Sequence, residues 1–243
     1  LLAIENLSKH YNARKAVDKI SFNLKNGEIA ALLGINGAGK TTTLRMLTGY
    51  ITPTSGEVRF DGENIIDERE KLLSRIGYLP ENPALYNDMT IEDFLVYMYR
   101  LRMATQENEK AAVEKALERC ALKERRNDYI ASLSAGFRKR VGLAQAIVHE
   151  PKVLLLDEPI ADLDPRQIRE IKALLAELRH DHAILVSSHI LKEVHEFADR
   201  ILLMHNGKIL ADAQASVLAE AGAMQQVIAN QTAFQREIGR ASC

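Results

Sequence analysis

The chain has 243 residues, 47% hydrophobic and 27% charged, and its 32 Lys and Arg against 33 Asp and Glu leave a formal net charge of −1. That composition excludes a disordered or fibrous chain, and the near balance of charge gives no electrostatic footprint for a polyanion, so nucleic acid is not expected as a partner. No apolar run approaches the ~18 residues of a membrane-spanning helix.

The opening Leu1-Leu2-Ala3 has no basic-then-apolar leader and reads as a trimmed start. In the N-terminal quarter Ile20, Phe22 and Leu24 alternate with polar residues, Asn26-Gly27 supplies a turn, and Ile29 to Leu33 is a continuous apolar run, the pattern of a buried strand feeding a glycine-rich loop. A helix over Thr41 to Thr48, closed by Gly49, precedes a strand at Val58 to Phe60 and a turn at Asp61-Gly62. From about residue 83 to 150 the pattern is helical. Thr90 can cap a helix whose apolar residues Ile91, Phe94, Leu95, Met98 and Leu101 recur every three or four positions, and Val113, Ala116, Leu117 and Cys120 repeat the pattern.

The α/β rhythm then returns: a strand at Val153 to Leu156, a helix opened by Asp164-Pro165, a strand at Ala183 to Ser187, a helix over Ile190 to Ala198, and a hairpin turned at Asn206-Gly207. Cys120 and Cys243 form neither a metal spacing nor a disulfide framework, which fits a reducing cytosolic compartment. The last thirty residues, rich in Ala and Gln, carry no clear apolar stripe longer than two turns and read as a small helical tail or the stub of something truncated.

Gly34-Ile35-Asn36-Gly37-Ala38-Gly39-Lys40-Thr41 matches the GxxxxGK[ST] phosphate loop and lies between a predicted strand and a predicted helix. Backbone N–H groups of such a loop converge on a phosphate, and the helix adds its positive end. Lys40 reaches the β- and γ-phosphates and the Thr41 hydroxyl ligates Mg²⁺. Val153 to Leu156 ends in Asp157 and Glu158. By themselves two acids there are a common solvated strand end. Beside a phosphate loop, Asp157 can hold magnesium through water, while Glu158, next along an extended chain, points elsewhere and can take the proton of an attacking water.

From about Ile4 to Ala211 the chain resembles the ATP-binding subunit of ATP-binding-cassette transporters. The resemblance rests on the phosphate loop, the acidic strand and further segments. Leu133-Ser134-Ala135-Gly136-Phe137 looks like the family's signature, Ile160 to Asp164 is similar to its D-loop, His189 resembles its switch histidine, and Tyr11 sits where an aromatic stacks on adenine. It implies an α/β fold: a P-loop NTPase core, with a RecA-like mixed sheet and an N-terminal antiparallel β subdomain, over residues 1–82 and 151–215. A helical subdomain is inserted over 83–150, and 216–243 is a tail without an assigned role.

The cofactors implied are ATP and Mg²⁺. The nucleotide is held by Tyr11, Gly34, Asn36, Gly37, Ala38, Gly39, Lys40, Thr41 and Thr42, with Ser134 and Gly136 acting across a head-to-tail dimer. The metal is held by Thr41, Glu81 and Asp157, and Glu158, His189 and Lys40 serve hydrolysis. The partners implied are a second nucleotide-binding subunit and a transmembrane permease subunit, which place the chain in the cytoplasm on the inner face of the membrane.

The sequence departs from the family at Glu81, where most members carry glutamine, and in the signature, where Ala135 replaces a glycine and Phe137 a glutamine. Because alanine tolerates a helical start but not a positive φ, the backbone at Ala135 should be helical. These departures resemble exporters whose membrane part is a separate polypeptide. The cluster Arg138 to Arg140 reads as a solvated helix face. Other P-loop enzymes fit less well, since no Asn-Lys-x-Asp segment is present to read guanine. A soluble cassette ATPase acting as a regulatory clamp on a non-membrane partner is the alternative.

Overall fold

The computed structural model describes residues 1–65, 74–103 and 105–216, so Cys243 and the predicted tail beyond Ser216 lie outside the described residues. Among the described residues ten strands form two sheets. The first is antiparallel, in the order β2-β1-β4-β5, from β1 (Leu2–Tyr11), β2 (Arg14–Leu24), β4 (Ser55–Phe60) and β5 (Glu63–Asn64). The second has the order β10-β9-β3-β8-β7-β6, from β3 (Ile29–Leu33), β6 (Ile76–Leu79), β7 (Val153–Asp157), β8 (Ala183–Ser188), β9 (Arg200–His205) and β10 (Lys208–Gln214). All its neighbours are parallel except β9 and β10, joined by the Asn206-Gly207 hairpin.

Every residue of β3, β7 and β8 is buried, as expected of parallel strands covered on both faces. Alternation sorts their side chains into two cores. Ala30, Leu32, Val153, Leu155 and Leu185 pack with α1 (Lys40–Leu47) and the antiparallel sheet. Ile29, Ala31, Leu33, Leu154, Leu156, Ile184 and Val186 pack on the opposite side with the helices after residue 90.

Those helices are α2 (Ile91–Arg102), α3 (Glu109–Arg119), α4 (Ala135–Ile147), α5 (Pro165–Leu178) and α6 (Leu191–His195). Thr90 caps α2 by accepting from the Asp93 N–H, and Asp164 with Gln167 forms a capping box on α5, with Pro165 at its first position. Helix α6 is shorter than the predicted span, ending in a turn through Phe197 and Ala198 that packs on the core rather than continuing.

Candidate functional site

The phosphate loop leaves the carboxyl end of β3, an interior strand of the second sheet, where crevices form in open α/β folds. Its first glycine is enforced by space: a Cβ on Gly34 would lie 2.4 Å from the Met204 carbonyl oxygen. Gly39, at φ +110°, leads into α1 in the left-handed region, and a Cβ there would lie 2.5 Å from the Ala16 oxygen. No side chain caps α1 and its first turn carries no acid, so its leading N–H groups stay available to an anion.

Lys40 is buried, and its Nζ donates to the Gly34 oxygen at 2.7 Å. The same Nζ lies 3.4 Å from Glu158 Oε1, both side chains more than nine-tenths buried. The other carboxylate oxygen of Glu158 accepts from His189 Nδ1 at 3.0 Å, which leaves His189 Nε2 outside that bond. Lys40, Glu158 and His189 thus form one polar chain across the loop.

The two acids at the carboxyl end of β7 diverge as expected, but by a different device. Glu158 is not extended: its φ of +46° puts it in the left-handed region. Ser187, which the sequence reading passed over, joins the two acids. Its hydroxyl donates to Asp157 Oδ1 at 2.5 Å and its oxygen accepts the Glu158 N–H at 3.0 Å. Its only sequence signal is its place two residues before His189. Asp157 Oδ2 is buried without a hydrogen-bond partner.

Tyr11, Asn36, Gly37, Gly39, Lys40, Thr41, Thr42, Glu81, Glu158 and His189 line one cleft of about 560 Å³. Ala38 and Asp157 are buried and do not line it. Arg14 and Ala16, unmarked in the sequence, line its mouth. The Tyr11 ring is half-exposed, with Lys9 Nζ 5.3 Å from its centroid. Ser134 and Gly136 are not part of this lining. Ser134 stands at the N-cap of α4 with no capping bond from its side chain, so its hydroxyl is uncommitted. Gly136 lies against the Gln167 side chain, 2.4 Å from where its Cβ would be. Helix α4 begins at Ala135, as its side chain requires.

The reading of Arg138 to Arg140 as a solvated face is corrected. Arg138 donates to Asn87 Oδ1 at 2.8 Å and the Ile130 oxygen at 2.9 Å. Lys139 is buried and donates to the Glu81 oxygen at 3.0 Å, and Arg140 binds the Cys120 oxygen and Glu170. Three consecutive helical residues cover more than half a turn, and α4 is packed on too much of its circumference for all three to face water. Burial holds the Lys139 ammonium below its ordinary pKa, while Glu81, Asp162, Asp157 and Glu158 pull the other way. Burial, with the Asp157 charge, pushes the Tyr78 phenol up to about 12.

A family model described as ABC transporter matches residues 17–161, a span that includes the phosphate loop, the signature and both acids. The chain belongs to the ATP-binding-cassette transporter family. It is 41% identical over 209 residues to the uncharacterised ABC transporter ATP-binding protein YxlF of Bacillus subtilis, covering 86% of this chain and 69% of that one. It is 36% identical over 214 residues to the bacitracin transport ATP-binding protein BcrA of Bacillus licheniformis, covering 87% and 69%. Among solved structures, cbiO1 of Clostridium perfringens, part of the ABC transporter complex cbiONQ, superposes with a TM-score of 0.82 at 29% identity over 98% of both chains. This ABC protein is an ATPase, the ATP-binding subunit of a transporter, and such subunits act with a transmembrane subunit. Among its described residues no helix is long and apolar enough to cross a membrane.

Proposed function

We propose that the chain binds Mg-ATP in the Lys40 cleft, pairs head to tail with a second cassette, and uses hydrolysis to drive export of a substrate through a separate transmembrane subunit from the cytoplasmic face. The observation that carries this is the Lys40–Glu158–His189 chain lying across a phosphate loop whose helix end is open to an anion. The residues present suit the metal: Asp157 offers a buried oxygen without a hydrogen-bond partner, and the Thr41 hydroxyl and the Glu81 carboxylate border the cleft. Bound with ATP, Mg²⁺ neutralises charge on the phosphate oxygens.

ATP takes over Lys40 from Glu158. The β- and γ-phosphates accept from the loop N–H groups and the ammonium, and Tyr11 offers its face to adenine. Glu158, freed, turns its carboxylate to a water in line with the γ-phosphorus. As the water oxygen bonds to phosphorus, the bond to the ADP oxygen breaks and Glu158 accepts the water proton. His189 Nε2 orients that water, held by its Nδ1–H on Glu158. Ser134 and Gly136, outside their own cleft, complete the site of the opposite copy.

Glu81 sits between the cleft and the helices of 83–150, which we assign as the helical subdomain that meets the membrane subunit. The export reading is supported by the similarity to proteins named for bacitracin transport. Sedimentation of Glu158→Gln with and without Mg-ATP tests the pairing: a nucleotide-dependent dimer is expected, and a monomer that binds ATP at saturating concentration counts against it.

A further inference from the structure

Four contacts join α4 to the stretch from Gly77 to Glu81. A Cβ on Gly77 would lie 2.0 Å from the Ala146 oxygen, and one on Gly142 would lie 2.8 Å from Leu79 Cδ1. Gln145 Nε2 donates to the Tyr78 oxygen at 2.7 Å, and Lys139 Nζ donates to the Glu81 oxygen at 3.0 Å. Positions 139, 142, 145 and 146 follow each other at helical spacing along one face, so α4 lies along β6 and the residues after it as on a rail.

Three of these contacts are tight packing or neutral hydrogen bonding. The fourth buries an ammonium, which a Leu or Met of similar volume would avoid at lower desolvation cost. Lys139 is 8% exposed and faces the carboxylates of Glu81, Asp162, Asp157 and Glu158. Glu81 borders both the nucleotide cleft and a second hollow of about 270 Å³ shared with Ala135, Lys139 and Asp162. It is the wall between the nucleotide and the signature helix.

We propose that Lys139 is a positioning residue for hydrolysis: its ammonium clamps the Glu81 carbonyl to α4, so the segment that lines one cleft and the segment that carries Ser134 and Gly136 move as a single body. This rests on the reading of the cleft given under Proposed function. The bond fixes the Glu81 backbone and so aims its carboxylate at the nucleotide. The buried positive charge offsets the acids around it once Lys40 is committed to phosphate. Lys139 touches no reacting atom; it acts through Glu81 and through the charge it sets among these acids.

The test uses the full chain with Lys139→Met, which keeps the stem and removes the donor, and Lys139→Arg, which restores a cationic donor. Because a displacement of the order of 1 Å remote from the chemistry can cost up to about a hundredfold, Lys139→Met should lower kcat by at least about tenfold, with KM for ATP within about twofold of the parent. Backbone amides from residue 81 to 85 should exchange faster in Lys139→Met, and Lys139→Arg should reverse both effects. Parent-like kcat and exchange in Lys139→Met overturn the proposal. So does a parallel loss of ATP affinity, kcat and melting temperature that Arg does not rescue. A parent chain that fails to hydrolyse ATP would refute the reading of the cleft and this inference with it, whereas an active parent with an indifferent Lys139→Met refutes the inference alone.

Discussion

Glu158→Gln removes the charge that Lys40 and His189 share. Lys40 Nζ and Glu158 Oε1 are 3.4 Å apart with side-chain exposures of 7% and 9%. At an effective dielectric of about 20 that separation corresponds to an attraction of about 5 kcal/mol, from which desolvation subtracts. Deleting one partner of such a pair costs about 3–5 kcal/mol, because the other charge stays buried. Lys40 keeps its bond to the Gly34 oxygen, so we take the low end, about 3 kcal/mol.

For a chain of this size 1 kcal/mol moves the melting temperature by about 2–4 °C, so the nucleotide-free variant should melt about 6–12 °C below the parent. ATP supplies the missing anion. Mg-ATP should therefore stabilise the variant more than the parent, while phosphate release falls by about 10²–10⁴-fold. Thermal melts with and without nucleotide, alongside steady-state turnover, measure all three. A variant melting within about 2 °C of the parent without nucleotide, or an equal nucleotide shift in both, would refute the claim that Glu158 holds the place of the phosphate.

Ser134→Ala should leave the melting temperature and ATP affinity of the monomer unchanged, since that hydroxyl caps nothing in this structure, yet abolish the nucleotide-dependent dimer of Glu158→Gln in sedimentation. Gly39→Ala should lose ATP binding by calorimetry, because a side chain at φ +110° must displace the Ala16 backbone. Glu81→Gln should shift the magnesium dependence of turnover, the loss of one carboxylate charge raising the concentration required; an unchanged titration rejects a role for Glu81 at the metal.

His149 supplies a pH prediction. Burial lowers its pKa to about 4, while its Nε2 bonds the Ile76 oxygen. A folded pKa below the unfolded value means stability complete above about pH 6.5 and lost as pH falls toward 4, by about 3 kcal/mol in all. His149→Gln should flatten that part of the curve in urea titrations run from pH 7 to 4.

Much of this architecture is legible in the residues because burial leaves periodic marks. Ile29 to Leu33, Val153 to Leu156 and Ala183 to Ser187 are apolar runs of strand length, and each forms a strand buried on both faces. The phosphate loop is legible because its chemistry needs fixed spacing, and the Thr90 and Asp164 caps because orphan N–H groups need an acceptor within three residues. What escapes reading is long-range pairing. Ser187 acquires meaning only when β8 lies beside β7, and Lys139 only when α4 lies on β6. Composition makes Arg138 to Arg140 look like surface; partners brought from residues 81 to 170 hold them inward. The left-handed turn at Glu158 is likewise set by Ser187 and Lys40, not by its own propensity.

The strand order carries a consequence for how the chain is made. β3 has two neighbours, β8 and β9, and both come from beyond residue 180. Throughout synthesis of the intervening segment, the most apolar strand of the parallel sheet has two bare edges and a glycine-rich loop behind it. Exposed edges of that kind recruit other chains, and parallel pairing at such separation is slow. The helices from 91 to 147 make their own local contacts and can fold while β3 waits. A nascent chain stalled after α4 should therefore be helical yet prone to self-association, and release of β8 should be the event that makes it soluble.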